Sequence, residues 1–394
     1  MSGHIDVVVI GGGYAGVMAA NRLTRRADVA VTLVNPRASF VERVRLHQVA
    51  GGSHSAVVDY REILAERVRL VVDTAELIDA AGQSVRLASG ATLDYDYLIY
   101  GVGSGSAAPS VPGVAEFAYP VAVLEEARRL RSALDTAGAA AAVTVVGGGS
   151  TGIEVAAELA EQGRAVTLIC GGVLGPYLHP RVRRSVADRL AGLGVSVLEG
   201  GEATVVEVTR DSVRLGGGRI VPSGVTIWTA GFGVPDLASR SGLRTDAVGR
   251  LLTDETLTSV DDERIVAAGD AAAPSDRPLR MSCQTARPLG AHAADTVLAR
   301  IAGERPAEIS VGYFGQCIAL GRRAATLQLA AKDDTATRFA IGGRLAAFIK
   351  ERACRGVIEE LVEEAAEPGT FRWKFTDDKR RELVRAEGGA SIHH

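Results

Sequence analysis

Residues 5–16 read Ile5-Asp6-Val7-Val8-Val9-Ile10-Gly11-Gly12-Gly13-Tyr14-Ala15-Gly16. A β-branched run enters a cluster of glycines. An alanine-rich amphipathic stretch follows over 17–26, and a second β-branched run over 29–34. The same order recurs 136 residues later. Val143-Thr144-Val145-Val146 runs into Gly147-Gly148-Gly149-Ser150-Thr151-Gly152, then a helical period over 153–162 and a β-like run over 165–169. Strand, glycine turn, helix and strand are thus written twice, an internal repeat of a whole nucleotide-binding unit.

The spacing in both clusters is G-x-G-x-x-G. The first glycine permits a tight turn, the second lets the backbone approach a pyrophosphate, and the third lets helix and strand pack. The helix N-terminus then offers unpaired N–H groups and a favourable dipole to the anion. At the end of the second strand, an acid commonly binds a ribose hydroxyl. Asn35 takes that place in the first unit and Cys170 in the second. Without the acid, nothing there excludes a 2′-phosphate, so NADH and NADPH both stay open. Arg181, Arg183 and Arg184 read either as phosphate ligands or as a solvated helix face. Asp270, after Ala267-Ala268-Gly269, reads either as the acceptor for a polyol chain or as a helix start.

The rest of the chain bounds the chemistry. Its 394 residues suggest two to three domains. A net charge of −3 gives no reason to bind nucleic acid or an anionic surface. Only 4 of the 44 basic residues are lysine, which we read as genome composition. The four cysteines (170, 283, 317, 354) form no CxxC pair, as expected in a reducing compartment. Of the seven histidines, His47, His54, His179 and His292 are too dispersed for a metal site, and there is no GxSxG elbow, so bound cofactors must supply the chemistry. With no signal-peptide pattern and no long uncharged apolar run, a cytoplasmic protein is expected. Val68–Val72 and Ser84–Leu87 read as hairpin strands with Gly82 at the turn, and the prolines at 109, 112 and 120 as a crossover between domains. Residues 316–321 and 324–330 read as antiparallel strands. Over 344–364 a helical period places Leu345, Phe348, Ile349, Val357, Ile358 and Leu361 on one side, and 387–394 reads as a frayed tail.

The paired units, together with residues 46–52, 95–99, 145–154, 227–231 and the Asp270 motif, resemble the pyridine-nucleotide–flavin oxidoreductases with two dinucleotide domains. Within that family the likeness is to type II NADH dehydrogenases and apoptosis-inducing-factor-like NAD(P)H:quinone reductases, over about residues 5–330. The resemblance implies two doubly wound Rossmann-like domains and a small C-terminal α+β domain. The FAD domain would be built from 1–110 and 235–310, the NAD(P)H domain from 111–234, and the last domain from 311–394. It implies that Gly11, Gly13, Tyr14, Ala15, Gly16, Asn35 and Asp270 hold FAD, with Thr285 and Ala286 near the isoalloxazine. NAD(P)H would lie on Gly147, Gly149, Ser150, Thr151 and Gly152. Arg37, Ala75, Gly103, Ala230, Gly231 and Gly269 complete the expected cofactor contacts. Glu154 would position the nicotinamide and Gln284 would bond near the flavin or acceptor. Hydride would pass from NAD(P)H to FAD and electrons onward to a quinone.

Several departures qualify the likeness. Residues 40–50 hold no cysteine, so a disulfide reductase would lack its dithiol, and Gly101-Val102-Gly103 replaces a usual Ala-Thr-Gly. Gln284 has Pro288, not a second glutamine, four residues on. The 344–364 helix mixes basic and acidic residues, which suits a packed or homodimer surface better than a membrane face, so contact with the inner membrane face is at most peripheral. Two rival readings remain, a reductase of a ferredoxin or rubredoxin and a non-catalytic redox-sensing flavoprotein. A sulfide-oxidising relative would need cysteines flanking the flavin, and only Cys283 is near it.

Overall fold

The computed structural model describes residues 4–108 and 110–390; Pro109 and the last four residues of the expected tail lie outside them. The first unit is a five-stranded parallel sheet. Its order is Ile265–Ala267, Tyr97–Tyr100, Ile5–Ile10, Val29–Asn35, Val68–Val72. Val7 and Val9 are completely buried. Helices cover such a sheet on both faces, so its central strands read as unbroken apolar runs. The second unit repeats the design with Ala118–Pro120, Val225–Trp228, Val143–Val146, Val166–Ile169 and Ser196–Leu198.

The repeat extends further than the glycine turns. Each unit carries a three-stranded antiparallel sheet inserted along its chain, between the third and fourth parallel strands in the first unit and between the fourth and fifth in the second. These are Ala75–Asp79, Ser84–Leu87, Thr92–Asp94 and Val205–Val208, Ser212–Leu215, Ile220–Pro222. This corrects the expected hairpin. Val68–Val72 pairs in parallel with Val29–Asn35, and the partner of Ser84–Leu87 across the Gly82 turn is Ala75–Asp79. A β-branched run shows its preference for a strand, but not which strand it joins. Where the chain crosses between units, Gly105–Ser106 and Phe232–Gly233 pair side by side.

Gly315–Ala319, Ala325–Ala330 and Ala336–Gly342 form the antiparallel C-terminal sheet, followed by helix Gly343–Ala366. The apolar side expected for this helix is only partly inward. Val357 and Leu361 are buried, but Leu345 is 60% and Phe348 70% exposed. In the first turns only Ala346 is buried. Farther on, Glu364 is buried, where it bonds Arg22 and accepts the Gly369 and Phe371 amides. The last helix runs to Ala390, so the tail is helical as far as it is described.

Candidate dinucleotide cradles and the carboxylate between them

The two glycine turns have the same geometry. Gly11 (φ +102°) and Gly147 (φ +123°) adopt a backbone that L side chains rarely take, and a Cβ on either would strike Gly101 O at 2.2 Å or Thr229 Oγ1 at 2.4 Å. A Cβ on Gly16 would lie 1.7 Å from Gly11 O, and one on Gly152 1.9 Å from Gly147 O. Packing therefore demands the outer two glycines of each triplet. At the middle glycines, Gly13 and Gly149, an added Cβ meets nothing within 4 Å. Each is the N-cap of a helix, Tyr14–Leu23 or Ser150–Glu161, with no side-chain cap. Ser150 and Thr151 open the second helix. Two helix N-termini thus face open space with amides to offer, which fits a pyrophosphate at each.

In the first unit the Asn35 side chain is already engaged. Its Oδ1 accepts the Gly12 N–H at 2.9 Å and its Nδ2 donates to Arg37 O at 2.9 Å. Tyr60 Oη donates to Gly12 O at 2.7 Å, so Asn35 and Tyr60 hold the turn from two sides. The Arg37 guanidinium is paired with Glu125 of the second unit, and this bond pulls the Glu125 carboxyl down to about 2. Ala75 is buried in the hairpin sheet. Tyr14 packs edge-on against Phe40, and its buried hydroxyl has no partner among the described residues.

Opposite the first turn, Gly269 (φ +72°) is close-packed on small residues: a Cβ there would lie 3.0 Å from Ala15 Cβ and 3.8 Å from Ala286 Cβ. Next to it, Asp270 accepts from Ser104 Oγ at 2.7 Å, and Arg43 Nη1 donates to Ser104 Oγ at 3.0 Å. Gly103 lies beside Arg43. Arg43 and Ser104 carry no motif, and sequence reasoning passed over both. Thr285 Oγ1 donates to Arg280 O at 2.6 Å within the first turn of helix Cys283–Ile301. The Gln284 amide, in the orientation that satisfies both its atoms, donates to Gly315 O at 2.9 Å and accepts from Phe314 N at 3.2 Å. It fastens the C-terminal sheet to this helix. In the crossover, Trp228 Nε1 donates to Ala230 O, and Gly231 (φ +85°) packs on Ala107.

Between the cradles stands Glu154. Its Oε1 bonds Lys350 Nζ and accepts the Ala319 N–H at 2.9 Å, and its Oε2 lies 3.6 Å from His47 Nδ1. One carboxylate therefore joins the first unit, the second unit and the C-terminal sheet. Burial works against the Glu154 charge, but Lys350 and His47 outweigh it and lower its pKa. Burial likewise works against the Lys350 ammonium, and Glu154 reverses that effect. Lys350 Nζ also donates to Cys317 O at 3.3 Å. Burial pushes the Cys317 and Cys354 thiols up to about 11, so neither is a thiolate at neutral pH.

His47 is 3% exposed, and its Nε2 has no partner among the described residues. Burial, against the opposing charge of Glu154, lowers its pKa from 6.5 to about 4. Below pH 6.5 the unfolded chain takes up a proton that the folded chain refuses until about pH 4. Stability that His47 leaves intact above pH 6.5 is therefore lost as pH falls to 4, by about 3 kcal/mol. Denaturant unfolding at neutral pH and near pH 4 should show this loss, and His47→Leu should reduce it. An equal loss in the variant would refute the assignment.

The fold and the two cradles define a flavin- and pyridine-nucleotide-dependent oxidoreductase. The pyridine nucleotide-disulphide oxidoreductase family matches residues 5–292, and the chain belongs to it. An NADH dehydrogenase-like protein of Mycobacterium tuberculosis is 32% identical over 324 residues, covering 74% of this chain and 80% of that one. A type II NADH:quinone oxidoreductase of the same organism is 28% identical over 347 residues, covering 77% and 74%. The solved sulfide:quinone oxidoreductase of Aquifex aeolicus has the same fold, with a TM-score of 0.77, 18% identity, and 97% and 95% of the two chains covered.

Proposed function

We propose that this chain oxidises NAD(P)H through FAD and passes the electrons to a quinone. The observation that carries the reading is the pair of uncapped helix N-termini with open middle glycines, one per unit. Gly11, Gly13 and Gly16 hold the flavin nucleotide and Asp270 its polyol chain. Gly147, Gly149, Ser150, Thr151 and Gly152 hold the nicotinamide nucleotide. FAD, when bound, supplies the step from hydride to electron transfer. The chain positions the partners, since a near-attack geometry supplies much of the rate. Glu154 is fixed in orientation by Lys350 and Ala319 N and presents its charge at the nicotinamide end. Lys350 keeps its proton and offers a fixed positive charge where negative charge develops.

The type II relatives support a quinone as acceptor. Peripheral membrane contact fits the surface near Lys350. Phe339 is 59% exposed, Leu345 and Phe348 stand out beside it in sequence, and Arg338 and Arg344 flank them. No described helix is long and apolar enough to cross a membrane. The test is anaerobic reoxidation of the NADH-reduced protein. Quinones should reoxidise it within the turnover time, and ferredoxin or rubredoxin should not. Fast reoxidation by the proteins alone would move the assignment to the ferredoxin-reductase reading, and no reoxidation by any acceptor to the sensor reading.

A further inference from the structure

The second unit lacks an acid at the end of its second strand, where Cys170, Gly171 and Gly172 carry no charge. The neighbouring strand supplies one. Glu199 directly follows Ser196–Leu198. The Cys170 N–H donates to Leu198 O at 2.9 Å, and Gly200 N–H donates to Gly172 O at 2.6 Å. These bonds hold Glu199 against the end of the second strand. Its Oε1 accepts the Leu174 N–H at 2.5 Å. The loop so fastened lies over the glycine turn. Gly175 N–H donates to Gly148 O at 2.7 Å, and a Cβ on Gly148 would lie 3.1 Å from Val173 O. Gly148 adjoins Gly149, the residue that faces open space. The Glu199 charge is also felt at Cys170, whose thiol is pushed up to about 12 by burial first and then by Glu199. Of the nearby cations, Arg183 is turned back to Leu178 O at 3.3 Å, while Arg181 and Arg184 are exposed.

We propose that Glu199 is the specificity-determining residue for the adenosine ribose, accepting from the 2′-hydroxyl of NADH and repelling the 2′-phosphate of NADPH. This rests on the second unit being the pyridine-nucleotide cradle. An acid in this place selects by contact and by charge together, as the strand-end acid of such folds does. The carboxylate is exposed, so its repulsion is screened by salt.

The test is calorimetric binding of ADP-ribose and 2′-phospho-ADP-ribose to the flavin-loaded protein. The wild type should bind ADP-ribose more tightly by about tenfold or more, with the ratio shrinking at high salt. Glu199→Gln keeps an acceptor for Leu174 N–H and removes the charge. It should narrow the ratio by about tenfold, mainly through tighter binding of the phosphorylated fragment, and make it insensitive to salt. An unchanged ratio in the variant, or a wild-type preference for the phosphorylated fragment, would overturn the assignment and point to Arg181 and Arg184. If the wild type binds neither fragment, the cradle reading itself fails.

Discussion

Replacing Gly149 by valine is expected to give a folded, flavin-containing protein that NADH no longer reduces. Gly149 has φ −77° and ψ −179°, a conformation valine adopts readily. Its Cβ would meet nothing within 4 Å, so the side chain costs the fold little. It would instead fill the space offered to the pyrophosphate. Loss of that contact should weaken NADH binding by about 100-fold or more, close to 3 kcal/mol. Gly13→Val is the mirror case (φ −84°, open space at Cβ) and should expel the flavin instead. Gly152→Val differs in kind, because its Cβ would sit 1.9 Å from Gly147 O and the helix could not pack. The absorption spectrum after desalting, and the rate of bleaching by NADH, distinguish the three. Loss of flavin from Gly149→Val would show that the division of labour between the units is wrong.

The second large effect is expected at Lys350→Met. It leaves the Glu154 carboxylate buried without its cation, and breaking such a pair costs about 3–5 kcal/mol. The denaturation midpoint should fall accordingly. Glu154 should also become easier to protonate, because the charge that lowers its pKa is gone. The pH profile of NADH-dependent flavin reduction would then shift upward. The double variant Lys350→Met with Glu154→Gln removes both charges and should recover most of the stability, though not the rate. If the single variant is as stable as the wild type, the buried pair does not hold the three parts of the chain together.

The paired units and the positions of their glycines were legible in the sequence because local backbone demands fix them. Gly16 and Gly152 cannot carry a side chain, and no distant residue alters that. Two of the three C-terminal strands and the 344–364 helix were legible, but the third strand, Ala336–Gly342, was not. The site between the cradles was not, because it forms only by tertiary contact. Glu154 and Lys350 are 196 residues apart, and Glu154 and His47 come from different units. Glu199 was invisible for the same reason: it reaches the end of the second strand from the strand beside it, 29 residues later. Asn35 shows the converse limit. Its place was legible, but its bonds to Gly12 and Arg37 depend on a turn geometry that only the folded chain reveals.

Anaerobic titration of the purified, flavin-loaded protein with NADH tests the central claim most directly. The account expects bound yellow flavin to bleach with one equivalent of NADH and its colour to return on addition of a quinone. A colourless protein that takes up no FAD, or a flavin that NADH leaves oxidised, would contradict it.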